Sequence, residues 1–335
     1  TVPKGSRVII IYRCENKAPI TIKSDVPRIY AGGIVGYSGR AGIRYCTNSG
    51  GISATGSKGN PEAKYYANVG GITGQSGQHI QCSDNFGRIH IDGSHISYAG
   101  GICGGLNAVR NIVGCSNYGE VISTCATASN FAGIIGASGD GVHLCNCNNY
   151  GAVSYKGSTA PKGTQLGGVA GYIFSKKNTK YGSRLLRCNN FGALSSGVAS
   201  KSLSVGGLVG RIRGSEVANV KLQDCANKGE ISAKGCRVGG ITSSKSYTTI
   251  SGDYFHNNMA QPVKATKGDK NLFGRVTSTT GEPVVGAVVS DGEFSVQTNS
   301  EGYYEMKSNL ASARFVTIST PADYKLSFLK SVPQN

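Results

Sequence analysis

Leu166-Gly167-Gly168-Val169-Ala170-Gly171 and, further on, Cys188-Asn189-Asn190-Phe191-Gly192-Ala193-Leu194 decide how this 335-residue chain folds. Both signatures recur. Gly-Gly-aliphatic-x-Gly begins at Gly32, Gly70, Gly100, Gly167, Gly206 and Gly239, with Ala132-Gly133-Ile134 as a variant. Cys-x-Asn-aromatic-Gly-x-aliphatic has its Asn at Asn16, Asn48, Asn85, Asn117, Asn149, Asn190 and Asn227, at steps of 32, 37, 32, 32, 41 and 37 residues. Two linked motifs at such a period mark a chain of stacked units.

Helix is a poor reading of these units, since each interior Gly costs a helix about 1 kcal/mol relative to Ala. Short aliphatic runs such as Gly33-Ile34-Val35 and Gly207-Leu208-Val209, bounded by Gly and Asn, read as short strands with turns. A unit holding two or three such strands fits one coil of a parallel β-solenoid. About seven coils stacked roughly 4.8 Å apart make a rod on the order of 35 Å long. In-register stacking predicts a column of Asn side chains passing amide hydrogen bonds between coils, as in cross-β ladders. Gly is expected at corners with φ > 0, and Ile, Val and Leu inside.

Seven of the 11 cysteines fall in one repeat slot: Cys14, Cys46, Cys82, Cys115, Cys147, Cys188 and Cys225, two residues before the Asn (three for Cys82). Regular spacing predicts a buried column of free thiols acting as small hydrophobes. Parallel Cβ vectors disfavour disulfide torsions. Only Cys145-Asn146-Cys147 approaches zinc-ligand spacing, and His79, His90, His95, His143 and His256 show none, so no metal or cofactor is expected.

The net charge of +17 is uneven. Residues 272–335 carry five Lys/Arg and six Asp/Glu, whereas the region between Asp140 and Glu216 has ten basic residues and no acid. A basic surface of this kind attracts acidic glycans, anionic lipid or nucleic acid. The longest insertion lies there, Tyr172-Ile173-Phe174-Ser175-Lys176-Lys177-Asn178-Thr179-Lys180-Tyr181. Loops on a rigid scaffold are where binding concentrates. The candidate ligand-binding set is therefore Tyr172, Phe174, Lys176, Lys177, Lys180, Tyr181, Arg184 and Arg187, with aromatic rings for sugar faces and cations for acidic groups. Phe86, Tyr118, Tyr150 and Phe191 follow the Asn in four consecutive units. Alternation sends these rings outward, as a contact strip or as structural stacking along the rod.

Residues 1–261 are read as the solenoid, with Thr248–Asn257 as a degenerate final coil, and 262–271 as a linker. The first unit opens directly into Cys14-Glu15-Asn16, as expected of a chain that begins mid-coil or after an absent domain. No apolar run reaches membrane-spanning length. From Leu272 to Asn335 the pattern changes to alternating strands punctuated by turn residues about every ten positions, the mark of a small antiparallel sandwich.

The double-Gly units, such as Gly206-Gly207-Leu208-Val209-Gly210 with Cys225-Ala226-Asn227-Lys228-Gly229-Glu230-Ile231, resemble the GLUG-type repeats of bacterial surface proteins. That resemblance implies an adhesin-like protein at the outer cell surface or secreted. Cys in the column and the enlarged fifth unit depart from the simplest form. The tail is similar to transthyretin-like modules related to the carboxypeptidase regulatory domain. Gly286-Ala287-Val288-Val289-Ser290-Asp291-Gly292, Thr298-Asn299-Ser300-Glu301-Gly302-Tyr303-Tyr304 and Ser319-Thr320-Pro321-Ala322-Asp323-Tyr324 most resemble the module preceding bacterial calcineurin-like phosphoesterase domains. The chain holds no Asp-x-His, Gly-Asp-x-x-Asp or Gly-Asn-His run, so the two-metal centre such a domain carries is not within it.

Glycoside hydrolysis needs two carboxylates roughly 5–9 Å apart. Asp84 and Asp224 are read in turns, and Glu120 and Glu230 share a slot three units apart. A polysaccharide lyase could use Tyr181 or Arg184 beside the basic block. No Ser or Cys nucleophile arrangement is legible, and no helix follows the Gly-rich stretches as a phosphate loop requires. The expectation is a non-catalytic binding protein contacting acidic or complex glycans or another surface protein. The alternatives are an accessory targeting region of a larger phosphoesterase and a lyase. Nucleic acid has only charge in its favour, because no recognition motif is present.

Overall fold

The structure, a computed structural model, describes residues 9–26, 28–56, 66–93, 96–106, 110–175, 182–215, 217–251, 254–255, 272–278, 282–290, 295–306 and 317–321. Every regular element among them is a β-strand. The chain divides into two compact units, Thr1–Ala260 and Gln261–Asn335.

The first unit is a parallel β-solenoid. One turn runs through five strands: Ile80–Gln81, Asp84–Asn85, Ile89–Gly93, Ile96–Gly100 and Cys103–Leu106. Stacked on equivalent strands, they build five parallel sheets, faces 1 to 5, of 8, 8, 7, 7 and 6 strands. Six turns are complete. A seventh has four strands, from Val220–Gln223 to Arg237–Gly239, and Thr248–Ser251 with Tyr254–Phe255 extends faces 1 and 2. Where two or three strands per unit are expected from sequence, five are found, because two of them are only two or three residues long and too short to show a period.

Face 2 carries the predicted ladder. Asn16, Asn48, Asn85, Asn117, Asn149, Asn190 and Asn227 stand in register. Each of the first six donates Nδ2 to the Oδ1 of the next at 2.7–2.8 Å. The same nitrogen also donates to the carbonyl two residues on, as Asn117 does to Gly119. From Asn48 onward these side chains are fully buried, so the ladder satisfies amides that would otherwise be costly.

Two apolar cores flank that ladder. Ile80, Ile112, Leu144, Leu185 and Leu222 of face 1 pack with Ile102, Ile134, Val169 and Leu208 in one. Ile89, Val121, Val153 and Leu194 of face 3 pack with Val69, Ala99, Phe131, Leu166 and Val205 of face 4 in the other. Between the cores the double Gly of each turn meets the Asn column. A Cβ on Gly101 would lie 2.1 Å from Asn117 Cγ and 2.2 Å from Gly133 O. These double glycines are therefore required for close approach, whereas φ > 0 is supplied by glycines outside the motif, such as Gly93, Gly114 and Gly141. The left-handed corner instead falls three residues before the Asn, at Arg13, Tyr45, Cys82, Gly114, Asn146, Arg187 and Asp224, with φ between 47° and 63°.

That corner also corrects the thiol column. Cys82 is exposed at the corner, and Ser83 fills the slot. Ser83 Oγ donates to Gln81 O at 2.9 Å, as the Sγ of Cys115, Cys147, Cys188 and Cys225 donate to Val113, Cys145, Leu186 and Gln223 O at 3.3–3.5 Å. A small side chain with one hydrogen to give suits the slot, because it ties the carbonyl just before the bend. Asp84, expected in a turn, lies in the two-residue strand of face 2, and its Oδ1 accepts Ser116 N at 2.9 Å.

In the second unit, Leu272–Arg275 pairs antiparallel with Tyr303–Met306. Val288–Ser290 lies between Ser295–Gln297 and Thr317–Ser319, also antiparallel. Val276, Val284, Ala287, Val289 and Met306 form its core, with Val296 and Tyr304 packed against it. Buried Thr298 fastens the turn, accepting Ala287 N and donating to Val284 O at 2.6 Å. The linker expected at 262–271 lies outside the described residues.

Candidate functional site

Six residues before each repeat Asn, face 1 presents an outward position. It reads Ile10, Gly42, His79, Asn111, His143, Arg184 and Lys221, in register along the rod. The intervening Leu144, Leu185 and Leu222 are buried, so strand alternation holds the polar neighbours outside. Three consecutive turns thus place His143, Arg184 and Lys221 side by side.

Around them lies a cleft of about 500 Å³, lined by His143, Gly182, Ser183, Arg184, Val217, Asn219, Lys221 and Gln223. None of the described residues that line it carries a carboxylate. Arg184 Nη2 donates to Gln223 Oε1 at 2.5 Å, which fixes the guanidinium plane. Among the described residues, Arg184 Nε is buried without a hydrogen-bond partner, and so is Asn219 Oδ1. Asn219 Nδ2 donates to Thr249 Oγ1 at 2.7 Å. His143 and Lys221 are exposed. A held guanidinium with an unspent N–H, beside an ammonium and an imidazole, suits an anionic group of a ligand.

Of the described members of the candidate set, Arg184 lines this cleft and Tyr172, Phe174 and Arg187 do not. Arg187 is exposed at the left-handed corner three residues further on. Tyr172 and Phe174 project from face 5, on Ala170–Phe174, with ring centroids 5.5 Å apart and register partners Arg211 and Arg213. Lys176, Lys177, Lys180 and Tyr181 lie outside the described residues. His143 and Lys221 were missed because unit length varies. Counting back six from each Asn, rather than scanning for clustered charge, finds both.

Phe86, Tyr118, Tyr150 and Phe191 stack face to face, with centroids 4.7, 4.9 and 4.8 Å apart and planes within 6°. Lys228 Nζ caps Phe191 at 4.6 Å. Ring faces spent on one another present only edges to solvent, so this column is a structural stack and not a platform for sugar faces. Burial pushes Lys228 down to about 8.

Several other reactive groups are engaged or shut away. Glu120 pairs with Lys156 at 3.1 Å and Arg88 at 3.6 Å. Burial pushes the Cys103 thiol up to about 12 and raises Cys115 and Cys188 well above the ordinary range. Burial first, then Arg110 and Arg44, lowers His79. Among the described residues no three His, Cys, Asp or Glu side chains group so as to hold a metal ion. No helix among them is long and apolar enough to cross a membrane.

Residues 270–334 match the family described as the N terminal of calcineurin-like phosphoesterase. No curated protein matches the chain. No solved structure matches it.

Proposed function

We propose that this chain is a non-catalytic binding region of a bacterial secreted or outer-surface protein, an adhesin-like solenoid that contacts acidic glycans. The cleft of His143, Arg184 and Lys221, with no carboxylate among the described residues of its lining, carries this reading. The ladder-tied scaffold holds those groups in fixed register, so a ligand need not order them first. Lys176, Lys177 and Lys180 follow Tyr172 and Phe174 in the same basic stretch of sequence. Affinity electrophoresis through polygalacturonate tests it. Retardation that weakens from low to moderate salt, and that Arg184→Ser with Lys221→Ser removes, supports the reading. Equal mobility with and without the polymer would overturn it.

A second reading is favoured by the family match at residues 270–334: the solenoid serves as a targeting arm of a longer phosphoesterase. The two are compatible, because an arm that binds glycan would deliver such an enzyme to a glycan-coated surface. The intact mass of the native protein tests the second: a chain long enough for a further catalytic domain supports it, and a chain ending near Asn335 contradicts it.

A further inference from the structure

The row of His143, Arg184 and Lys221 runs along the rod, because the three stand in register on successive parallel strands. Uncharged residues end it: at the same position Asn111 precedes His143 and Thr249 follows Lys221. The cleft runs the same way, since its lining comes from three consecutive turns. A ligand that touches the whole row therefore lies lengthwise over two strand spacings, on the order of 10 Å.

The three groups are not evenly spread. Arg184 Nη2 donates to Gln223 Oε1, and Gln223 belongs to Val220–Gln223, the strand that carries Lys221. That bond draws the guanidinium toward the Lys221 strand and away from His143. Two anionic subsites result. One is the Arg184 guanidinium with the Lys221 ammonium, and the other is the exposed His143 imidazole two strands away. Two residues further along their strands, on the same side of the sheet, Cys145 and Leu186 are half-buried. An apolar strip beside a few placed polar groups suits the C–H faces of sugar rings.

Resting on the reading that this cleft takes acidic glycan, we propose that it also selects the spacing of the acids. It binds an extended glycan lengthwise, through acidic groups on two sugars separated by one neutral sugar. In an extended glycan successive rings turn opposite ways, so groups on one side recur at every second sugar. That interval is close to two strand spacings. The ligand class is thus a chain in which acidic and neutral sugars alternate. A fragment with one acidic group fills the Arg184 and Lys221 subsite, which offers two charged donors, and leaves His143 unused.

The test is calorimetric titration of the whole chain, at low salt, with hyaluronan fragments, in which glucuronate alternates with N-acetylglucosamine. Expected is an affinity about fivefold or more higher for the trisaccharide with two glucuronates than for the disaccharide with one. A pentasaccharide with three should gain only about twofold more, because the row has no third subsite and only the number of placements grows. His143→Ala, a change at an exposed position, should cut the trisaccharide's gain to the roughly twofold that two placements of one acid give, and leave the disaccharide unaffected. Arg187→Ser alters a cation outside the cleft lining and should leave the gain in place. A wild-type gain of only about twofold, or one that survives His143→Ala or is lost in Arg187→Ser, would overturn the proposal while the anionic preference of the cleft stands. No binding of any fragment would overturn both.

Discussion

Asn117 donates its Nδ2 both to Asn149 Oδ1 of the next turn and to Gly119 O of its own, each at 2.8 Å. Its Oδ1 accepts from Asn85 at 2.8 Å. One buried amide thus links three consecutive turns and closes its own bend. Asn117→Ala leaves Asn149 Oδ1 and Gly119 O without that donor, at a cost of about 2–4 kcal/mol. Asn16→Ala, at a half-buried position on the end of the ladder, costs under about 1 kcal/mol. Urea unfolding of both variants checks the ranking, with midpoints compared because stacked units need not unfold in one step.

Gly101→Ala drives a methyl into Asn117 and the Gly133 carbonyl, both part of the rigid waist between the two cores. A loss of about 3 kcal/mol or more is expected, since neither neighbour can yield. At Gly51 the nearest atom to an added Cβ is Arg88 O at an ordinary 3.6 Å, so Gly51→Ala should fall within about 0.5 kcal/mol of wild type. Thermal unfolding separates the two. Similar melting temperatures would mean that the double Gly is not held by contact with the ladder.

Much of this was legible in the sequence. Stacking, the Asn ladder and the change of fold near Leu272 follow from residues that recur at fixed slots. The number of strands per turn was not, because strands such as Asp84–Asn85 carry no periodicity of their own. Cys82 misled because counting cysteines ignored Ser83, which satisfies the same slot through its hydroxyl. The cationic column was hidden by unit lengths that differ by up to nine residues, from 32 to 41. The closing of face 5 over face 4 was invisible, since residues such as Asn130 and Gln165 are ordinary outward positions until the third Gly of each motif lets the two sheets approach.

Thiol reactivity should follow burial. Cys14 and Cys82 are exposed, Cys145 and Cys236 half-buried, and Cys46, Cys103, Cys115, Cys125, Cys147, Cys188 and Cys225 buried. At pH 8, Ellman's reagent should label the first two at once and the next two slowly. The buried seven should react only on unfolding, as solvent cannot reach them, and burial also raises Cys103, Cys115 and Cys188 so that those thiols stay protonated. Fast labelling of Cys115 or Cys188 in the folded chain would contradict the buried column.

Lys228 gives a pH signature. Its folded pKa of about 8 lies below the unfolded value near 10.4, so between them the unfolded state binds more protons and stability rises with pH. Below about pH 8 both states are protonated and burial of the charge destabilises the fold fully. The buried thiols act in the opposite sense at high pH, so the effect is read as the difference from Lys228→Met. Over pH 7 to 10 the stability advantage of that variant should shrink; a constant difference would mean that Lys228 is not held charged against Phe191 at neutral pH.

Calorimetric titration of the chain with an oligogalacturonate tests the central claim most directly, that the cationic cleft of face 1 binds an acidic glycan. The expected result is saturable binding that weakens steeply with salt and is lost in the Arg184→Ser, Lys221→Ser double variant. Binding that survives the double variant, or no binding at low salt, would contradict the assignment of that cleft.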